Sequence, residues 1–174
     1  MKRLSKIDEQ VFSWVASHYY TQPGKKLPDI LRWVSRSADG HLYPVLLLLM
    51  YIFDNTHGWL FVYTAVMSYI FELPIYLFLK QLCKRKRPCD LLLNIDAFIT
   101  PADKFSLPSG HTTGAFLLAT VVSAFYPSAL VPAYLWASMV GISRIVLRVH
   151  FPLDVIIGAG LGITIALISV DILA

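Results

Sequence analysis

Charge is scarce in this sequence, and so is cysteine. Lys, Arg, Asp and Glu make up 15% of the 174 residues, while hydrophobic residues make up 56%. A soluble globular domain carries about a quarter charged residues. Too little polar surface remains for a soluble basic domain, so the net charge of +4 does not point to nucleic acid. Anionic lipid is the expected partner, and a mean hydropathy of +0.61 places the chain in a bilayer. The two cysteines, Cys83 and Cys89, are too few for a disulfide framework, and no Cys/His spacing fits a zinc site. They leave either one disulfide across the basic cluster between them or two free thiols. Internal repeats and low-complexity linkers are absent. One domain over 1–174 is therefore expected, with 1–27 an N-terminal segment and 28–174 a helical core. MKRLSKIDEQVF lacks the compact apolar stretch and cleavage site of a signal peptide, so insertion is expected to rest on internal spans.

Long apolar runs are what the sequence does have. A helix needs about 20 mostly apolar residues to cross hydrocarbon. The runs 59–79, 129–147 and 151–173 meet that length, the first despite Glu72 and Pro74. The run 111–126 reaches it by starting near Pro108, and 41–53 by borrowing residues 30–38, with Arg32 and Arg36 snorkelling to the interface. Residues 7–20 carry apolar side chains at 7, 11, 12, 14 and 15, the pattern of an amphipathic helix lying on the membrane surface. The expected fold is all-α: a polytopic transmembrane helix bundle of five spans plus an N-terminal interfacial helix. Gly158, Gly160 and Gly162 in the last span would let a neighbouring helix approach closely. Trp14, Trp33 and Trp59 suit an interfacial belt.

This topology brings three polar constellations to one membrane face. KQLCKRKRP, 80–88, sets Lys80 and Arg87 two turns apart on one face of a helix that Pro88 then ends. Alone it equally suits a cluster that anchors a span to headgroups. PSGH, 108–111, offers a proline for a first helical turn, a Ser109 cap, a Gly110 backbone open to close approach and a His111 within reach of a bound anion. An ordinary cap with an incidental histidine is the plainer alternative. SRIVLRVHFPLD, 143–154, spaces His150 and Asp154 four residues apart, so that a carboxylate can fix the imidazole tautomer and leave the other nitrogen to attack. Its alternative is an Arg144–Asp154 ion pair joining two helices.

Together, K-x6-RP, PSGH and SR-x5-H-x3-D resemble the three signatures of the type 2 phosphatidic acid phosphatase superfamily, in order and over roughly 27–173. The resemblance implies metal-independent hydrolysis of a lipid phosphate through a phosphohistidine, with no cofactor. His150 would be the nucleophile, Asp154 its orienting carboxylate and His111 the acid for the leaving oxygen. Lys80, Arg87, Arg144, Ser109 and the Gly110 amide would bind the phosphoryl oxygens. Short loops fit small bacterial members acting on phosphatidate, phosphatidylglycerophosphate or undecaprenyl diphosphate in the inner membrane. A lipid phosphotransferase and a non-catalytic binder of anionic lipid are the competing readings. Vanadium-dependent haloperoxidases share the motifs, but this chain lacks their soluble bulk.

Other polar residues are weaker candidates. Glu72 inside a span is a suspect for the lipid cavity, and Arg148 for a second phosphate or headgroups. His18, His41 and His57 have no partner at useful spacing. All 15 lysines and arginines fall on the motif side of this topology, which turns that face to the cytoplasm by the positive-inside rule.

Overall fold

The computed structural model describes residues 2–18, 27–92, 95–101 and 103–174, and among them every regular element is helical. In chain order these are α1 (Lys2–His18), α2 (Leu27–Arg36), α3 (Leu42–Phe53), α4 (Gly58–Cys83), α5 (Pro88–Leu91), α6 (Gly110–Phe125), a 3-10 turn (Pro127–Ala129), α7 (Leu130–Val146) and α8 (Pro152–Leu173). Three stretches, Gly58–Leu91, Pro127–Val146 and Pro152–Leu173, are long and apolar enough to cross a membrane.

α6 is the axis of the bundle. Its residues from Thr112 to Val121 are buried with the single exception of Phe116, and α4, α7 and α8 pack around it. With 16 residues it measures about 24 Å, short of the hydrocarbon thickness. Neighbouring helices cover most of its surface, so its backbone is surrounded by protein. Helix α3 is shorter still at 12 residues, and it does not extend back through 30–38. α2 stops at Arg36 and the chain turns at Gly40, whose φ of +81° favours glycine, so the two segments are separate helices. α4 runs through Pro74 without ending. Outward-facing Ile70, Phe71, Phe78, Leu135, Ile142 and Ile156 give the bundle an apolar exterior suited to acyl chains.

The N-terminal segment is helical as expected, but it does more than rest on a surface. α1 packs against α7 and α8, burying Phe12 edge-to-face on Phe151 while Asp8 points inward. Ile7, Val11 and Trp14 form an exposed stripe on its other side, the arrangement that an interfacial helix requires. Residues 19 and 20 of the expected helix lie outside the described residues. Cys83 and Cys89 are both free thiols.

The glycines of α8 divide into two kinds. A Cβ at Gly158 would stand 2.8 Å from the Ser109 carbonyl oxygen, and one at Gly162 would stand 2.9 Å from the Leu117 nitrogen. Gly160 faces open space, so only two of the three expected close approaches occur. Gly162→Ala should therefore destabilise the bundle by about 1–3 kcal/mol through overpacking. Gly160→Ala should be neutral or slightly stabilising, alanine being the better helix former. Thermal melts of both variants in detergent check the contrast; equal shifts would contradict the packing.

Candidate active site

The polar residues of all three motifs gather at one end of the bundle, where α4 and α7 finish and α6 and α8 begin. Lys80 lies buried in the last turn of α4. The helix does not continue to Pro88: it ends at Cys83, and Lys84 caps it in the left-handed region with φ of 45°. That turn redirects Arg85 and Arg87 inward before Pro88 opens α5. Lys80 and Arg87 therefore converge through a change of chain direction and not as partners on one helical face. Both reach Asp103, which accepts from Arg87 Nη2 at 2.8 Å and also from Lys80 Nζ. Burial alone would raise the Asp103 carboxyl, but Lys80 and Arg87 outweigh it and hold the group below its ordinary range.

Pro108 lies before the helix, Ser109 is the N-cap of α6, and Gly110 is its first residue. The Ser109 hydroxyl makes no cap bond; it pairs with Thr112 Oγ1 at 2.9 Å. First-turn N–H groups, which have no partner inside a helix, are thereby left for a ligand. Tyr76 packs on this turn so closely that a Cβ on Gly110 would meet its hydroxyl at 2.8 Å, and the same hydroxyl accepts from Lys80 Nζ.

His150 is buried in the turn between α7 and α8, and its neighbours determine its tautomer. Nδ1 lies 2.7 Å from the Ser106 carbonyl oxygen, which can only accept. Nε2 lies 3.3 Å from Arg87 Nη1, which can only donate. Nδ1 thus carries the proton and Nε2 presents its lone pair. Burial pushes the imidazole down to about 4, with Asp154 pulling the other way and Arg87 and Arg144 adding to the fall. At neutral pH the ring is uncharged.

Asp154 is adjacent but beyond hydrogen-bond distance, 3.8 Å from Nδ1. His150 precedes α8, so the helical four-residue stagger does not govern the pair. The carboxylate instead turns back to accept from the Phe151 N–H at 2.8 Å, from Arg85 Nη1 at 2.8 Å and from the Ser106 hydroxyl. It makes no ion pair with Arg144, whose Nη1 donates to Ser35 Oγ and whose Nε is buried without a partner. Arg144 and His111 open onto a cavity of about 760 Å³, walled also by Tyr43, Tyr69, Glu72 and Tyr76. His111 Nε2 lies 2.7 Å from Asp39 Oδ1.

Sequence spacing identified the motif residues but missed the groups that hold them: Ser35, Asp39, Arg85, Asp103, Ser106 and, farthest away, Asp8. Asp8 accepts from Arg85 Nη2 and from the Leu153 N–H at 2.9 Å, tying α1 to Asp154 through Arg85. The Arg85 guanidinium also lies over the Phe151 ring, 4.3 Å from its centroid. Of the weaker candidates, Glu72 does line the cavity and His41 sits on its rim.

Residues 56–174 match the family model of the PAP2 superfamily. Over 100 residues the chain is 35% identical to the decaprenylphosphoryl-5-phosphoribose phosphatase of Mycobacterium tuberculosis, covering 54% of this chain and 51% of that protein. It is 32% identical to the bacitracin transport permease protein BcrC of Bacillus licheniformis over 124 residues, covering 70% of this chain and 60% of the other. The matched regions thus span about half to three fifths of these curated relatives. The crystal structure of Aquifex aeolicus LpxE superposes with a TM-score of 0.81 at 28% identity, covering 93% of each chain.

Asp8 lies outside residues 56–174, the stretch that matches the family model, and its bridge can be tested directly. Asp8→Ala leaves Arg85 with one carboxylate and the Leu153 N–H with none. A loss of about 2–3 kcal/mol is expected, as for removal of one partner from a largely buried pair. The readouts are the melting midpoint and the rate of proteolysis within α1, both of which should shift; an unchanged midpoint would show that the bridge contributes nothing.

Proposed function

The chain belongs to the PAP2 superfamily, and from that membership we propose that it is an integral membrane phosphatase. Its substrate would be the phosphomonoester or diphosphate of a lipid, hydrolysed through a phosphohistidine on His150. The observation that supports this most directly is the state of His150. It is a neutral imidazole whose Nε2 lone pair lies 3.3 Å from a guanidinium, and that guanidinium already grips an anionic side chain. A protein that only bound anionic lipid would have no use for a neutral nitrogen at that point.

In the proposed reaction the phosphoryl oxygens are held by Lys80, Arg87, Arg144, the Ser109 hydroxyl and the first-turn N–H groups of α6 that begin at Gly110. Phosphoryl transfer is mainly positioning and charge stabilisation, which cations and helix N–H groups supply. Nε2 of His150 attacks phosphorus, the bond to the leaving oxygen breaks, and His111 gives that oxygen a proton. Asp39 fixes the rotation of the His111 ring. Water then attacks the phosphohistidine, its proton passes to His111, and inorganic phosphate departs as Nε2 is restored. The substrate's chain stays among the acyl chains while its head enters the cavity beside Arg144. Phosphatidate, phosphatidylglycerophosphate and undecaprenyl diphosphate are the classes to compare. Phosphate release from a panel of these lipids in detergent, with EDTA present throughout, tests the reading. Activity should persist in the chelator, and His150→Ala should lower it by about a thousandfold or more. Near-normal turnover in that variant would overturn the assignment.

The orientation we propose is a bundle of five spans in a bacterial inner membrane with the motif face in the cytoplasm. The loops 54–57 and 126–129 at the other end carry no lysine or arginine, and in this topology all 15 fall on the motif side. Lys2, Arg3, Lys6, Lys25 and Lys26 are distant in sequence from the motifs and fall on the same side of this topology. A cysteine at exposed Thr56, in a Cys83→Ser, Cys89→Ser background, reports the side. Labelling by an impermeant thiol reagent in intact cells is the expected outcome; protection until the membrane is opened would reverse the orientation.

A further inference from the structure

The carboxylate of Asp103 stands where an anionic ligand of this site would stand. Its Oδ1 takes Arg87 Nη2 at 2.8 Å, its Oδ2 takes Lys80 Nζ, and Tyr76 donates to it at 3.1 Å. Its own backbone carbonyl accepts from Arg87 Nε at 3.0 Å, which keeps the loop fastened even when the side chain moves. The same Arg87 reaches the His150 nitrogen, and the same Tyr76 hydroxyl touches the Gly110 turn. One carboxylate is therefore in contact with both cations of the first motif and one side chain away from the nucleophile and the helix start. Its exposure differs sharply from theirs. The Asp103 side chain is 39% exposed, against 5% for Lys80 and 3% for Arg87. Two cations are fixed in the interior, and the anion between them can rotate out to water.

We infer that Asp103 is an internal competitor for the phosphoryl site that sets an affinity threshold, which terminal phosphate dianions pass and diester headgroups do not. This rests on the phosphatase reading above. Bulk phospholipids carry phosphodiester monoanions at concentrations no enzyme in a bilayer can escape. Exchanging the Asp103 monoanion for a diester monoanion brings no gain in charge between Lys80 and Arg87. Exchanging it for a phosphomonoester dianion, or for the terminal group of a diphosphate, adds a unit of negative charge and a third terminal oxygen. The carboxylate is held ionised by the same two cations, so the competition operates at neutral pH. A site occupied by Asp103 most of the time binds every ligand more weakly by the fraction of time it is vacant, and only the stronger anion compensates.

The test uses full-length protein in detergent at pH 8, titrated calorimetrically with inorganic phosphate and with dimethyl phosphate as the diester probe. Asp103→Asn should bind inorganic phosphate about tenfold tighter than the wild type, and dimethyl phosphate tighter by a similar factor. Asp103→Ser should behave alike. Phosphate binding that is unchanged or weaker in the variants would overturn the inference and make Asp103 a brace for Lys80 and Arg87. Failure of the phosphatase reading is separate, since it would appear as absent lipid hydrolysis by the wild type whatever these titrations show.

Discussion

Two buried cations at close quarters demand an anion. Lys80 and Arg87 are nearly inaccessible to water, and with the equally buried Arg144 they concentrate positive charge where the dielectric is low. In the structure Asp103 satisfies the first two, while Arg144 is left with a serine hydroxyl and an unpaired Nε. The first turn of α6 adds its own partial positive charge. A site this short of negative charge is incomplete, and the missing charge defines the ligand more narrowly than any single residue does.

The bundle's packing and the site's assembly come from the same contacts. Because Gly158 lets α8 lie against the backbone of Ser109, the Ser109 N–H can donate to the Asp154 carbonyl at 3.1 Å. That bond joins the second motif to the third without any side chain. Gly162 repeats the approach one turn deeper, against the backbone of Thr113 and Leu117. Between helices in lipid there is little hydrophobic driving force, and close backbone packing takes its place. The two glycines therefore set the spacing between the first turn of α6 and the turn that carries His150.

The sequence exposed what periodicity and spacing encode. Apolar runs gave the long helices, and motif spacing gave Lys80, Arg87, His111, Arg144, His150 and Asp154 with their common face. It concealed what loops and distant segments contribute. Lys84 in a left-handed conformation carries no signal in a run of basic residues, so α4 seemed to continue toward Pro88. Asp103 sits in PADKF, where an acidic residue before a helix reads as ordinary polarity. Arg85 was hidden among its charged neighbours, although it alone of the run bonds both Asp8 and Asp154. The Asp8 contact spans 77 residues to Arg85, a separation at which local pattern is silent. An even stripe of three glycines likewise could not say that one of them faces open space.

The placement of Asp154 bears on how a histidine stays reactive in such a field. A carboxylate bonded directly to Nδ1 would also fix this tautomer, but it would raise the basicity of the ring and with it the share of imidazolium, which cannot attack. Here the direct partners are a carbonyl and a guanidinium, neither of which titrates near neutrality, so the Nδ1–H tautomer persists over a wide pH range. Asp154 is meanwhile engaged by Arg85, the Ser106 hydroxyl and the Phe151 N–H, yet remains 3.8 Å from the ring. In the proposed reaction, bond formation at Nε2 makes the ring cationic. The carboxylate is then near enough to stabilise that charge, while its own partners have kept it from drawing the charge out beforehand. The helix that carries Asp8 enters the chemistry at this point, because Asp8 shares the Arg85 guanidinium with Asp154 and sets how much of it Asp154 feels.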